Sequence, residues 1–225
     1  MRLTFLGHAA VRLEVGDHDV LVDPFLSGNP LAPYGPDELR PDHVLLTHGH
    51  GDHVGDTVAL ANASDATVVA MVEIARWLAD QGVANPVGIN LGGGVDLPFG
   101  RVSLHPAWHS NALPDGTYGG MPAGVLIEVE GRRIYHCGDT ALFSDLALVG
   151  RRGIDLAFVP IGDHFTMGPD DAVEAVRLLA PAHVVPIHYD TFPPIRQDAA
   201  AFAARVNAET DATCTVLAPG EGLDL

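Results

Sequence analysis

Residues 47–53 read Thr47-His48-Gly49-His50-Gly51-Asp52-His53, at the end of an apolar run. Four side chains able to bind a metal fall within six residues. Imidazole is the commonest protein ligand for zinc-like metals, and carboxylate is a common partner. Gly49 and Gly51 are expected to let the backbone wrap tightly so that alternate side chains converge. Asp52 and His53, being adjacent, point away from His48 and His50, which suits two metals better than one. The pattern H-x-H-x-D-H arises by chance about 0.003 times in a chain of this composition. Four donors cannot complete two sites, so others must come from farther along. The candidates follow strands and sit beside small residues: His109 in Trp108-His109-Ser110-Asn111, Asp139 in Cys137-Gly138-Asp139-Thr140, and His188 in Ile187-His188-Tyr189.

The rest of the composition narrows the chemistry. The formal net charge is −17, which argues against nucleic-acid or anionic-membrane partners. All 12 basic residues are Arg. A Schiff base, a P-loop lysine and a lysine general base are therefore excluded. The 12 His make imidazole the place to look for chemistry. Cys137 and Cys214 form no disulfide framework, and no apolar run approaches the roughly 18 residues of a membrane helix. A soluble, cytoplasmic protein acting on a small molecule is expected.

Along the chain, strands are expected at 2–6, 10–15, 20–22, 43–47, 67–70, 101–105, 155–160, 183–188 and 213–217, with a hairpin over 124–137. Helices are expected at 56–63, 72–81, 140–149, 169–180 and 197–209. Between Pro24 and Pro41 lies a Pro-rich loop, read either as a lid or partner contact or as a surface excursion. Such a loop leaves a homo-oligomer open. No composition shift marks a linker, so residues 1–225 read as one domain with two sheets and helices outside.

Together the motifs resemble the metallo-β-lactamase superfamily of hydrolases over nearly the whole chain. The order is H-x-H-x-D-H, a lone His, Gly-Asp-Thr, then a late His. Gly7-His8-Ala9-Ala10, Asp23-Pro24-Phe25, Phe165-Thr166-Met167-Gly168 and His188-Tyr189-Asp190-Thr191-Phe192-Pro193 resemble its small bacterial metal-dependent hydrolase branch. That branch neighbours the ascorbate-6-phosphate lactonase-like enzymes. The resemblance implies an αββα four-layer sandwich with the site where the two mixed sheets meet. It implies two divalent metal ions, with His48, His50 and His109 on the first and Asp52, His53 and His188 on the second. Asp139 would bridge them. Zn²⁺ suits the His-rich set, and Mn²⁺ or Fe²⁺ is also admitted.

Such a centre is expected to attack an ester, lactone or phosphoester with a metal-bridging hydroxide. Asp52 and Asp139 would be catalytic, with Asp52 orienting the nucleophile or returning a proton. The alternative is a metal-binding or metal-sensing protein with incidental hydrolysis. His8, in the turn after the first strand, is a candidate catalytic or substrate-contacting residue, as is His164 for substrate contact. Asp23 is expected to take the ring N–H of a metal-binding His. Arg40 and Arg196 are the candidate anchors for an anionic substrate. His18, His43, His105 and His183 are expected to be solvated or packed, His136 to have a structural role, and Cys137 to be a buried small hydrophobe.

Overall fold

Short runs of branched aliphatic residues, punctuated by Gly and Asp turns, build most of the strands of this protein. A computed structural model describes residues 1–225. The first half holds β1 (Arg2–Phe5), β2 (Val11–Val15), β3 (His18–Val22), β4 (His43–Leu45), β5 (Thr67–Met71) and β6 (Asn85–Ile89). Helices α1 (Gly51–Val54), α2 (Thr57–Ser64) and α3 (Val72–Asp80) intervene. The second half holds β7 (Gly94–Leu97), β8 (Gly100–Pro106), β9 (Ala123–Val129), β10 (Arg132–His136), β11 (Leu156–Pro160), β12 (His183–Ile187), β13 (Thr213–Cys214) and β14 (Gly222–Asp224). Its helices are α4 (Leu146–Gly150), α5 (Pro169–Leu179) and α6 (Ala199–Glu209).

Two seven-stranded sheets result, ordered β14-β1-β2-β3-β4-β5-β6 and β13-β12-β11-β10-β9-β8-β7. Each changes character once. The first is antiparallel from β14 to β3 and parallel from β3 to β6. The second is parallel from β13 to β10 and antiparallel from β10 to β7. The carboxyl ends of β3 and β4 therefore share one edge, and those of β10, β11 and β12 share another. Ligands of α/β folds gather at such edges.

A core of 35 buried residues fills the space between the sheets, with Val20 and Val22 of β3 and Val125 and Ile127 of β9 among them. Helices α4, α5 and α6 cover the outer face of the second sheet over a 20-residue core. Helices α2 and α3 pack on the first sheet, which completes the αββα sandwich. No helix is long and apolar enough to cross a membrane.

Several local expectations are corrected. The strands β6, β7 and β14 were not expected. Pro86 and Gly88 hide β6, which tolerates them because it is an edge strand. The helix expected over 140–149 shrinks to α4, because Thr140 and Ala141 bond instead to Trp108 and Met167. The strand expected at 213–217 stops at Cys214. The segment from Pro24 to Pro41 is anchored at both ends to the outside of the first sheet. Its Leu26 and Leu39 pack with Leu6, Leu21 and Leu60 in a small core on the outside of the first sheet.

Candidate metal centre

Asp23 organises the first side of the site. It follows β3 with a left-handed backbone, φ 45°, and is fully buried. Its Oδ1 accepts the Thr47 N–H at 2.9 Å and its Oδ2 accepts the Thr47 hydroxyl at 2.6 Å. The same Oδ2 accepts the His53 Nδ1–H at 2.7 Å. Since the Thr47 hydroxyl donates to Asp23, its lone pair receives the His48 Nδ1–H at 3.0 Å. One carboxylate thus fixes two imidazole tautomers, each presenting a bare Nε2. The expected role of Asp23 has its geometry, and Thr47 adds a relay that the sequence reading did not assign.

The turn itself is short. His50 caps α1 with extended backbone, and α1 carries Asp52 and His53. Gly49 donates its N–H to Asn111 Oδ1 at 2.7 Å, and Asn111 Nδ2 donates to the carbonyls of Gly119 and Gly120. A Cβ on Gly49 would lie 2.9 Å from Asn111 Oδ1, so Gly is needed here for space. Gly51 has open space around it and no left-handed φ, so the expectation that it serves the wrapping is corrected. Asn111, two residues after His109, is a support that sequence reading missed. Its proximity to a candidate ligand was the available signal.

The second side comes from separate strand ends. Gly138, φ 61°, turns the chain after β10 against Thr47, where a Cβ would sit 2.8 Å from the Thr47 Cβ. His136 secures this turn, donating from Nε2 to the Ala9 carbonyl at 2.9 Å and accepting the Gly138 N–H at Nδ1 at 3.1 Å. His188 follows β12 at φ 56°, and its N–H donates to the His8 carbonyl at 2.7 Å.

All seven expected metal donors converge. Ligand atoms of His48, His50 and His109 lie within 4.8 Å of one another, as do those of Asp52, His53 and His188 together with His8. Asp139 stands between the groups. Its Oδ2 is 3.1 Å from His188 Nε2, 3.5 Å from His109 Nε2 and 4.0 Å from His48 Nε2, and its Oδ1 is 3.3 Å from His53 Nε2. Yet His53 Nε2, His188 Nε2 and Asp139 Oδ1 are buried without an aligned hydrogen bond. Orphaned atoms of this kind cost about 1–3 kcal/mol each. Bare imidazole nitrogens facing an orphaned carboxylate oxygen fit a divalent cation.

Electrostatics agree with that fit. Burial opposes ionisation of Asp139, but His188 and His53 hold it well below the usual carboxylate range. Burial pushes His48 well below its ordinary value. For His53 burial acts the same way, yet Asp139 and Asp23 outweigh it and raise the ring well above. A cation-seeking site binds a proton there when nothing else is bound.

His8 lies behind Asp52. Burial lowers it to about 4 despite the Asp52 hydrogen bond, with the rings of Phe25 and Phe192 each 5.6 Å away. As the neutral ring, Nε2–H donates to Asp52 Oδ2 at 3.2 Å and Nδ1 accepts the Thr191 hydroxyl at 2.9 Å. For Asp52, burial opposes ionisation, but that bond and His53 hold it below its ordinary range.

Other candidates fall outside. His164 is exposed, edge-on to Phe165 at 4.6 Å. Arg40 bonds the carbonyls of Asp37 and Leu39. Arg196 is exposed and does not line the cleft. Cys137 is fully buried, and burial raises its thiol pKa far above normal. His43 packs on Phe99 at 4.9 Å, His105 on Ser103 Oγ at 3.1 Å and His183 on Thr213 Oγ1 at 2.8 Å. Above the donors opens a cleft of about 340 Å³ lined by His50, Asp52, His109, Ser110, Asp139, Phe165 and His188.

Comparison with known proteins places this geometry. The profile described as the Beta-lactamase superfamily domain matches residues 18–189. A UPF0173 metal-dependent hydrolase of Thermus thermophilus is 53% identical over 225 residues, covering 100% of this chain and 99% of the relative. Another of that name from Deinococcus radiodurans is 45% identical, with 100% of both chains covered. Among solved structures, Igni18, a metallo hydrolase of Ignicoccus hospitalis, superposes with a TM-score of 0.90 at 35% identity, covering 99% of this chain and 97% of its own. The chain therefore belongs to the β-lactamase superfamily and, within it, to the UPF0173 metal-dependent hydrolases.

Proposed function

We propose that this protein is a binuclear metallohydrolase that cleaves an ester, lactone or phosphoester of a small molecule. The observation that carries the reading is Asp139, which stands within 4.0 Å of His donors from both groups. His48, His50 and His109 would hold one divalent ion, Asp52, His53 and His188 the other, and Asp139 both. Two such ions supply a water acidified towards neutrality and polarise the electrophile. Zn²⁺ suits the five imidazoles, and the carboxylates also admit Mn²⁺ or Fe²⁺.

The chain's own residues do the rest. Asp23 holds His53 directly and His48 through Thr47, so both rings are oriented before an ion arrives. Asp52 is ionised, and its side chain is 31% exposed to the cleft. One oxygen accepts the His8 N–H, and the carboxylate, beside its place as a donor to the ion, would take the proton that the attacking water gives up and return it to the leaving group. His8 is fully buried and does not line the cleft, so it acts through Asp52 as a positioning residue. Asp139 stays ionised throughout. No lysine is present and Cys137 is sealed in the core, so neither side chain serves as a covalent nucleophile. Two unpaired cysteines suit a cytoplasmic location.

The test is metal content by mass spectrometry together with turnover on panels of lactones, phosphodiesters and thioesters, using metal-stripped protein as control. Two ions per chain and metal-dependent turnover are expected. Two bound ions with no turnover on any panel would leave a metal-binding protein instead.

A further inference from the structure

The cleft is polar, but its mouth is apolar. Trp108 is 68% exposed and Phe165 54% exposed. Isolated exposed aromatics are ordinary, whereas grouped ones mark a binding surface. These are grouped by the backbone. The Trp108 N–H donates to Thr140 Oγ1, the Ala141 N–H to the Trp108 carbonyl and the Met167 N–H to the Thr140 carbonyl, each at 3.0 Å. The segments carrying Trp108, Phe143 and Phe165 therefore run side by side. The Trp108 and Phe143 rings are 6.5 Å apart. Met121, 50% exposed, adjoins them, because the Ala107 N–H donates to the Pro122 carbonyl next to it. Phe165 also lines the cleft with His109 and His188, so the apolar mouth is continuous with the donor cluster.

No arginine lines the cleft, and its permanent charges are the carboxylates of Asp52 and Asp139. Seven arginines are committed to ion pairs elsewhere. Arg40 is turned onto its own loop. A phosphate or carboxylate placed away from the reacting group would find no counter-charge, on a chain whose net charge is −17. Desolvating it there would be unfavourable.

We infer that the substrate is uncharged outside its reacting bond and carries an apolar group, an alkyl chain or flat ring, that lies against Phe165 and Trp108. This rests on the hydrolase reading for the chemistry, but the apolar seat is a property of the surface alone. Burying one methylene is worth about fourfold in affinity, and on an open mouth two- to fourfold is expected.

Two measurements on the metal-loaded protein decide it. The first is kcat/KM on γ-lactones whose alkyl tail grows from methyl to hexyl, with a phosphorylated lactone alongside. The second is calorimetric binding of alkyl hydroxamates of the same lengths, which needs no turnover. Both should strengthen two- to fourfold per methylene, and Phe165→Ala or Trp108→Ala should flatten the slope while metal content stays at the wild-type level. Length-independent binding, or a tenfold preference for the phosphorylated lactone, would overturn the inference. So would a dimer that Trp108→Ala dissociates while the slope persists, since the apolar surface would then be a subunit contact. Hydroxamate binding that grows with length, without turnover on any lactone, phosphodiester or thioester, would remove the hydrolase reading and leave the apolar seat standing.

Discussion

The two sheets supply the metal centre in opposite ways. The first delivers His48, His50, Asp52 and His53 from one turn after β4, clamped by a single buried carboxylate, Asp23. The second delivers His109, Asp139 and His188 singly, from the ends of β8, β10 and β12. Asp139 has Gly138 and His136 around it and His188 has Gly162 against it, while Asn111, two residues after His109, ties that loop to Gly49 of the first turn. The first half-site is thus a local object whose donors share one support. The second is assembled by topology, with independent supports. Damage to the common clamp should disturb several donors together, while damage on the other side should be confined to one.

Asp139 is the exception, since it touches donors of both groups, and it gives the largest expected effect. Asp139→Ala should take metal content towards one or fewer per chain. Turnover should fall by more than the roughly 100-fold typical of losing an outer partner. Metal analysis and kcat/KM measure both. A variant with two ions and normal activity would end the bridging assignment.

Asp23→Asn comes next and tests the shared clamp. The amide cannot accept from Thr47 and His53 as the carboxylate does, so His48 and His53 lose their fixed tautomers together. Metal affinity should fall about 10- to 100-fold. Competition with a chelator would show the loss in both ions. Loss confined to one ion would mean that the Thr47 relay to His48 carries no weight.

Gly162→Ala makes the converse test on the other side. A Cβ there would lie 2.4 Å from the His188 carbonyl oxygen and 3.3 Å from its Nδ1. Forced overpacking of this kind costs about 1–3 kcal/mol. Under the proposed assignment, one ion should weaken while the one given to His48, His50 and His109 keeps its affinity. Equal weakening of both would show that the second side is as coupled as the first.

The same contrast explains what could be read in the chain. The candidate donors on one turn announce themselves by spacing. His109, Asp139 and His188 carry no local signal beyond a strand end, and they became legible only through the order of motifs that resembled a known superfamily. Asp23 was legible because an Asp ending an apolar strand needs a donor. The pairing of His8 with Asp52 joins residues 44 positions apart, and Asn111 reaches Gly49 across 62, so neither leaves a pattern in sequence. In the fold, α5 was plain from its Pro start and α6 from its Ala-rich run. The expected helix at 140–149 failed because Thr140 spends its hydrogen bonds on Trp108, a tertiary demand that propensity does not contain.

The smallest effect concerns His136, the support of Asp139 that also ties the second sheet to Ala9 of the first. Burial lowers the pKa of this ring. Its Nδ1 must stay unprotonated to accept the Gly138 N–H. In the unfolded chain the ring titrates near the ordinary value of about 6.5. The folded state thus favours the neutral form, so the contribution is fully present above about pH 6.5. It is lost as the pH falls from there towards the lowered folded value, because the unfolded chain takes up the proton first. A single group of this kind contributes at most about 1.4 kcal/mol per pH unit. Urea unfolding of the metal-free protein at pH 7.5 and 5.5 measures the total slope, to which other buried His also contribute. His136→Gln keeps an amide donor for Ala9 and an acceptor for Gly138 but cannot titrate. It should therefore lose less stability between the two pH values than the wild type, by up to that amount, while the contributions of distant His43 and His105 cancel in the comparison. Equal losses in the two proteins would mean that His136 is not held neutral, and that the turn carrying Asp139 rests on Gly138 alone.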